Sequence, residues 1–485
     1  MKKYIILFLT FFGLFLQIGC TPESLRIDNP DVTEENEIQD FIWQGMNYIY
    51  LWQEEVPNLA DDRFSTQSDY IKFLNSSSKP EDFFDKLIFS PGVVDKWSWI
   101  VDDYIEQNQA FQGISLDNGI TFGLINNKAD DVIGYVRLIL PNSDASDKNI
   151  KRGDIITHVN GTKLNLSNYA GLLFDQNNPT YTLDLAKMEN NIIIPTGVSV
   201  ELTKTEYTKN PVFIAKTIDQ NGHKIGYLMY NWFTLSFDDA LNEAFSQFKS
   251  DGITDLVVDL RYNPGGFVSS AISLSGMITG QFKGDVFSKE QWNSKLQEEI
   301  ENSDPGSLVA RFTDKLSNGH RINSLKLTKV HFIVTRKSAS ASELVINGLK
   351  PYIDVSLVGT RTHGKYVAST TLYDSDNFSK TGVNPNHTYA IQPIIYRSVN
   401  KLDESVKDGI EPQMVLSEDI GNLGVLGNTD EPLLNAAIAD ITGVAAKMYD
   451  SKKVDYKTIG DSDMKSKVKN NMFVDNIKIR QILKK

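Results

Sequence analysis

A junction between two apolar periods constrains this chain more than any other feature. His331-Phe332-Ile333-Val334 is a short apolar run bounded by turn formers, which predicts a buried strand. Thr335-Arg336-Lys337 leaves it, and Ser340 opens a segment whose Leu344, Val345, Gly348 and Leu349 recur at helical spacing. Between the two stands Ser338-Ala339-Ser340-Ala341-Ser342-Glu343. Serine is a favoured N-cap, so one hydroxyl here has a purely structural explanation. Three serines alternating with alanines exceed what one cap needs. Small neighbours leave room for a bound molecule, and the free N–H groups of a first helical turn can hold a developing oxyanion.

Two further strand ends carry unusual residues. Val355-Ser356-Leu357-Val358-Gly359 predicts a strand, and Thr360-Arg361-Thr362-His363-Gly364-Lys365 puts a lysine on the Gly-bearing loop that follows. Such an amine can act as base for a serine only if burial brings its pKa well below ~10.4. Upstream, Asp255-Leu256-Val257-Val258-Asp259-Leu260 predicts a third strand, ending in Arg261-Tyr262-Asn263-Pro264-Gly265-Gly266.

These three pieces, in this order, resemble the C-terminal-processing (tail-specific) serine peptidases: Ser-Ala-Ser-Glu at 340–343, Gly364-Lys365, and Asp-Leu-Arg-x-Asn-Pro-Gly-Gly at 259–266. The resemblance implies that Ser340 is the nucleophile and Lys365 the general base. It implies an oxyanion hole of backbone N–H groups from Ala341 and from Gly265 or Gly266, where a residue without Cβ permits close approach. In some relatives a glutamate three positions after the serine assists; here that is Glu343, for which first-turn capping is the equal alternative. Asp259 and Arg261 are expected to hold the strand end and glycine turn rather than react. Relatives often carry a glutamine four positions after the lysine; this chain has Ser369, a hydroxyl that can accept from an ammonium and so support Lys365. His363, two residues before Lys365, is read as a loop residue, because positions two apart do not converge on one atom.

The region before this core changes period. Gly119–Ile125, Gly134–Leu140 and Ile155–Val159 read as strands, and Arg152-Gly153-Asp154-Ile155-Ile156 with Val159-Asn160-Gly161 resembles a PDZ domain. Asn-Gly is also simply a good hairpin turn. By that resemblance the peptide-binding loop and edge strand lie near Ile120, Thr121, Phe122, Gly123 and Leu124, and Val198–Lys204 closes the domain. Ahead of it, Ile38, Phe41, Ile42, Met46, Ile49 and Trp52 share one helical face. Further helices are expected from Ser78 to Leu87 and from Trp97 to Tyr104. The aromatics Trp43, Tyr48, Tyr50, Trp52, Trp97 and Trp99 are read as core and interdomain packing in preference to a ligand groove.

At the start, Met1-Lys2-Lys3, an apolar run from Tyr4 to Leu16, and Gln17-Ile18-Gly19-Cys20 fit a secretory signal. The sole cysteine, preceded by Gly19, resembles the lipidated first residue of a bacterial lipoprotein; an ordinary cleaved signal is the alternative. Either places the mature chain outside the cytoplasm, lipid-anchored at Cys20 on the periplasmic side or surface of the cell envelope, or secreted. One cysteine also precludes an intrachain disulfide and a multi-cysteine zinc site. A net charge of −13 argues against nucleic acid, whose binding needs a basic footprint. No histidine spacing suits zinc and no phosphate loop is present, so neither metal nor cofactor is expected.

The expected architecture is therefore multi-domain α+β: a signal (1–20), a polar tether (21–33), a helical N-terminal domain (34–108), a PDZ-like β domain (109–207), an α/β core resembling the crotonase/Clp-protease type (208–445) and a lysine-rich, solvated tail (446–485). The resemblance spans about residues 110–445. It implies a serine endopeptidase acting on proteins or peptides, through their C-termini, with the PDZ domain binding or gating substrate. A catalytically weak scaffold that holds protein partners through its PDZ and helical domains is the alternative.

Overall fold

A computed structural model describes residues 26, 29–175, 177–446, 456–464, 466, 468 and 472–474. Cys20 and the expected signal lie outside the described residues.

The centre is a six-stranded sheet in the order Val212–Gln220, His223–Tyr230, Asp255–Asp259, Lys329–Val334, Asp354–Gly359 and Met414–Val415. The first pair is antiparallel and all the others are parallel. Near-continuous apolar strands suit such a sheet because both faces are covered. Leu256, Val258, Phe332 and Leu357 pack on one side with Ala271, Leu274 and Val345 from the helices Val268–Ile278 and Ala341–Leu349. Val257, Ile333 and Val358, one residue out of phase, meet Leu433, Leu434 and Ala437 of the Pro432–Thr442 helix on the other. The three neighbouring strands that end at Asp259, Val334 and Gly359 thus deliver Gly265-Gly266, Ser340 and Lys365 to one edge, where open α/β sheets hold their ligands.

The β domain is a sheet built on Ile120–Lys128, Asp131–Ile139, Ile155–Val159, Thr180–Glu189 and Ile192–Thr203. Asn160 and Gly161 both have positive φ and turn the His158–Lys163 hairpin, the conformation that an Asn-Gly turn favours. The closing strand is longer than Val198–Lys204, because the chain runs out and back as one extended hairpin from Thr180 to Thr203.

Several expectations are corrected. Trp97–Tyr104 is not a helix: Trp99–Val101 is a strand pairing with Ala390–Gln392, and Asp103 then caps a helix over Tyr104–Phe111, its carboxylate accepting the N–H groups of Ile105 and Glu106. The helix expected through Trp52 stops at Ile49, after which two 3-10 turns cover 53–55 and 57–59. The stretch read as a tether is pinned at Arg26, whose guanidinium pairs with Asp40 at 2.6 Å and also with Asp374. The described residues of the tail are not a solvated appendage. Lys457–Asp461 adds to the edge of the Ile120–Lys128 strand, and Met472–Phe473 lies between Gly266–Phe267 and Val367–Ser369 in a second six-stranded sheet. Apolar Met472, Phe473 and Val474 are buried there, which outweighs the polar composition around them. Among the described residues no helix is long and apolar enough to cross a membrane.

Candidate active site

Ser340 stands at the N-cap of the Ala341–Leu349 helix with φ 61° and ψ −113°, a backbone conformation that a residue with a side chain rarely adopts. The surrounding serines explain what holds it there. Ser338 Oγ donates to Leu260 O at 2.7 Å and accepts from Thr335 N–H at 2.9 Å. Ser342 Oγ donates to Asn263 O at 3.0 Å, and Ala339 N–H donates to the same oxygen at 3.1 Å. Two serines therefore rivet the loop to the strand end beside it. The third is different: Ser340 Oγ is buried and makes no hydrogen bond among the described residues. Leaving a buried hydroxyl unmatched costs stability, and such groups collect at reacting centres.

Glu343 organises the space around it. Its Oε2 accepts the backbone N–H of Ser340 and of Lys365, each at 2.9 Å. Its Oε1 accepts Gly364 N–H at 2.7 Å and the Thr362 hydroxyl. Two donors sharing one oxygen bring the main chains of Ser340 and Lys365 within about 6 Å, two hydrogen-bond lengths. The carboxylate is wholly buried, and burial pushes its pKa up to about 6 despite the four donors. Capping and site assembly are thus one contact, and the two roles left open for Glu343 do not exclude each other.

Lys365 is fully buried. Burial drives its ammonium well below the usual lysine range, opposed by the negative charges of Asp95 and Glu343. Its Nζ lies 5.7 Å from the centre of the Trp97 ring. Asp95 is itself fixed by Tyr50 Oη at 2.6 Å and by the N–H groups of Trp97 and Ser98 at 2.9 Å. Residues of the N-terminal helical region therefore roof the lysine, which the sequence reading did not foresee. Burial, with the Arg336 cation beside it, pushes the nearby His363 down to about 4, so its ring is neutral near pH 7.

Of the two glycines, Gly265 gives its N–H to Asn263 Oδ1 at 2.9 Å, and Gly266 stands in the strand that pairs with Met472–Phe473. Gly266 has φ 133°, and a Cβ there would fall 2.0 Å from Phe233 O. Ala341 N–H opens a helix and has no acceptor within it. Asn263, to which sequence reasoning gave no role, is the hub: its amide also donates to Tyr230 O at 2.8 Å. Behind it Arg261 is bound by Asp259 at 2.7 Å and Glu431 at 2.6 Å, all of them buried, as a structural role requires. Among the described residues no cluster of His, Cys, Asp or Glu could hold a metal ion.

Comparison with known proteins turns this geometry into a family. The family model described as Peptidase family S41 matches residues 224–415, and that of the Peptidase S41 N-terminal domain matches residues 37–99. Together they span more than half of the chain. The chain belongs to peptidase family S41. The S41 core match takes in the Asp259–Gly266 turn, Ser340 and Lys365, and the N-terminal match takes in Asp95 and Trp97.

Among curated relatives, the "Probable CtpA-like serine protease" of Staphylococcus aureus strain N315 is 27% identical over 306 residues, 62% of this chain and 56% of the relative. The chain thus spans just over half the length of that protein. A "Carboxyl-terminal-processing protease" of Picosynechococcus is 23% identical over 328 residues, 67% of this chain and 70% of its own length. Two solved structures share the fold. One, from Bacteroides fragilis and assigned to the S41 proteases, has a TM-score of 0.64 at 24% identity, covering 86% of this chain and 99% of its own. The other, the photosystem II D1 C-terminal processing protease, has a TM-score of 0.50 at 19% identity, covering 83% and 98%.

In this S41 chain, Ser369 bonds away from the loops above: its hydroxyl donates to Met472 O at 3.3 Å and accepts from the Gln392 amide at 3.1 Å. Gln392 is buried, and its other amide atom accepts from Thr371 Oγ1 at 2.6 Å. A buried glutamine thus stands beside the position where relatives often place one, reached from a distant strand and invisible to a search at fixed spacing.

Proposed function

We propose that this protein is a serine endopeptidase of the C-terminal-processing type, cleaving peptide bonds with Ser340 as nucleophile and Lys365 as base. The observation that carries the reading is the Glu343 carboxylate, whose one oxygen accepts the amides of both Ser340 and Lys365. Burial favours the neutral amine of Lys365, the form able to accept a proton. Ser340 Oγ attacks the scissile carbonyl carbon as its proton passes to Lys365 Nζ. The tetrahedral oxyanion is received by the N–H groups of Ala341 and Gly266, each such donor being worth ~3–4 kcal/mol in the transition state. The amine leaves with the proton from Lys365, and water then hydrolyses the acyl-enzyme by the same steps reversed.

The β domain acts here as a PDZ module that binds or gates substrate along Ile120–Leu124, and the core is of crotonase/Clp type. Localisation at the cell envelope, through lipidated Cys20 or after simple signal cleavage, completes the reading. The supporting fact for a peptide site is the strand edge itself, which already accepts an added strand.

The test is incubation of purified protein with an unfolded protein, comparing wild type with Ser340→Ala and Lys365→Ala. Cleavage by wild type and its loss in both variants supports the dyad. Unchanged cleavage in Lys365→Ala removes the lysine from the chemistry, and cleavage by none favours a binding scaffold.

A further inference from the structure

The chain's own tail fills a slot at the site. Met472–Phe473 runs parallel to Gly266–Phe267 on one side and to Val367–Ser369 on the other, with Phe473 in register with Phe267 and Ser369. Val474 N–H donates to Ser369 O at 3.0 Å, and Thr370 Oγ1 donates to Val474 O at 3.2 Å. One flank of this slot is the Gly266–Phe267 strand and the other begins two residues after Lys365. The Phe473 ring sits among Phe111 at 4.3 Å, Phe267 at 5.6 Å, Trp232 at 6.1 Å and Trp99 at 6.3 Å between centroids.

A second station lies upstream. Lys457–Asp461 pairs antiparallel with Gly123–Asn126, and Ser462 N–H continues to Phe122 O at 2.9 Å. Asp461, buried, lies 3.9 Å from Arg137 of the β domain and pairs with Lys337 of the loop leading to Ser340. One segment therefore engages first the edge strand of the β domain and then the slot beside Gly266.

We propose that Lys457–Asp461 and Met472–Val474 are intramolecular occupants of the peptide path, seated where a polypeptide substrate is drawn in as an added strand, and that the Phe111–Trp99–Trp232–Phe267 cage is a side-chain subsite for an aromatic residue. The inference rests on the peptidase reading of the same site. Main-chain pairing supplies sequence-independent affinity, and the cage supplies the selection. A tethered segment competes at an effective concentration on the order of millimolar, so removing its anchor exposes the path to added peptide.

The experiment uses the full chain carrying Ser340→Ala, so that binding is read without cleavage. A fluorescein-labelled hexapeptide with the sequence of residues 470–475 is titrated by anisotropy into this protein and into the same protein carrying Phe473→Asp. The expected result is at least ten-fold tighter binding to the Phe473→Asp protein, and loss of that gain when the peptide's own phenylalanine is replaced by aspartate. Asp461→Asn, which loosens the other station, gives the same direction should Phe473→Asp fail to fold. With Ser340 intact, Phe473→Asp is expected to raise the rate of cleavage of an unfolded protein several-fold. Equal affinity in all proteins, or binding indifferent to the peptide's phenylalanine, overturns the proposal and makes the tail a fixed strand of the sheet. Peptide binding as expected with cleavage by no variant keeps the tail site and removes the peptidase reading; cleavage with no peptide binding does the reverse.

Discussion

Glu343 and Lys365 are joined through the backbone: Glu343 Oε2 accepts the Lys365 N–H at 2.9 Å, across 22 positions of sequence. The same oxygen holds Ser340 N–H, so one carboxylate sets the separation of two loops. Glu343→Gln keeps the shape but leaves a single acceptor for four donors. Hydrogen bonds to a buried charged group contribute about 1.5–3 kcal/mol each, so this variant should lose about that much stability in urea unfolding. Cleavage should fall at least as steeply as in a mutant that only weakens binding, with the loss in kcat rather than KM.

The acid side of the pH–rate profile should contain Glu343. With its pKa near 6, the carboxylate is ionised at pH 7 and loses acceptor capacity as the pH falls through that value. kcat/KM measured from pH 5 to 9 should therefore drop below about pH 6. Glu343→Gln should abolish that inflection while leaving whatever limb belongs to the lysine.

Asp95 raises the affinity of Lys365 for its proton, against the larger effect of burial. Asp95→Asn removes that charge and keeps one acceptor for the neighbouring amides. The lysine then deprotonates at lower pH, so its limb of the profile should move toward acid. A shift toward alkali would contradict the assignment of this charge to Lys365.

Gly266→Ala places a methyl group 2.0 Å from Phe233 O at φ 133°, so the turn must move. If Gly266 is an oxyanion donor, kcat should fall by about 10²-fold, the cost of losing one such donor. A variant that folds with wild-type kcat would take Gly266 out of the oxyanion hole.

Arg261→Met should unfold more readily for a different reason. Asp259 and Glu431 lose their shared cation while buried, and breaking such a pair costs about 3–5 kcal/mol. The urea midpoint should fall accordingly. Replacing the buried carboxylates with it, by apolar residues of similar volume, should recover much of the loss.

The sequence was informative where a local pattern and its partner coincide. Apolar runs at 256–260, 331–334 and 355–359 named the central strands, since strands buried on both faces need no alternation to be seen. What stayed hidden depends on contacts distant in sequence. Trp99–Val101 is three residues long and becomes a strand only because Ala390–Gln392 lies beside it. Met472-Phe473-Val474 is too short to carry any period, and its partners are more than a hundred positions away at Ser369 and Thr370. Asp95 acts on Lys365, and Gln392 bonds Ser369, from other elements, so no spacing rule within the three motifs could have found them.

The central claim, that a neutral Lys365 activates Ser340, is tested most directly by a fluorophosphonate probe that phosphonylates nucleophilic serines with loss of fluoride, with the labelled residue identified by mass spectrometry. The account predicts labelling at Ser340, slowing as the pH is lowered, and at least a hundred-fold slower in a folded Lys365→Ala protein. Labelling at another residue, or at Ser340 with an undiminished rate after Lys365→Ala, would contradict it.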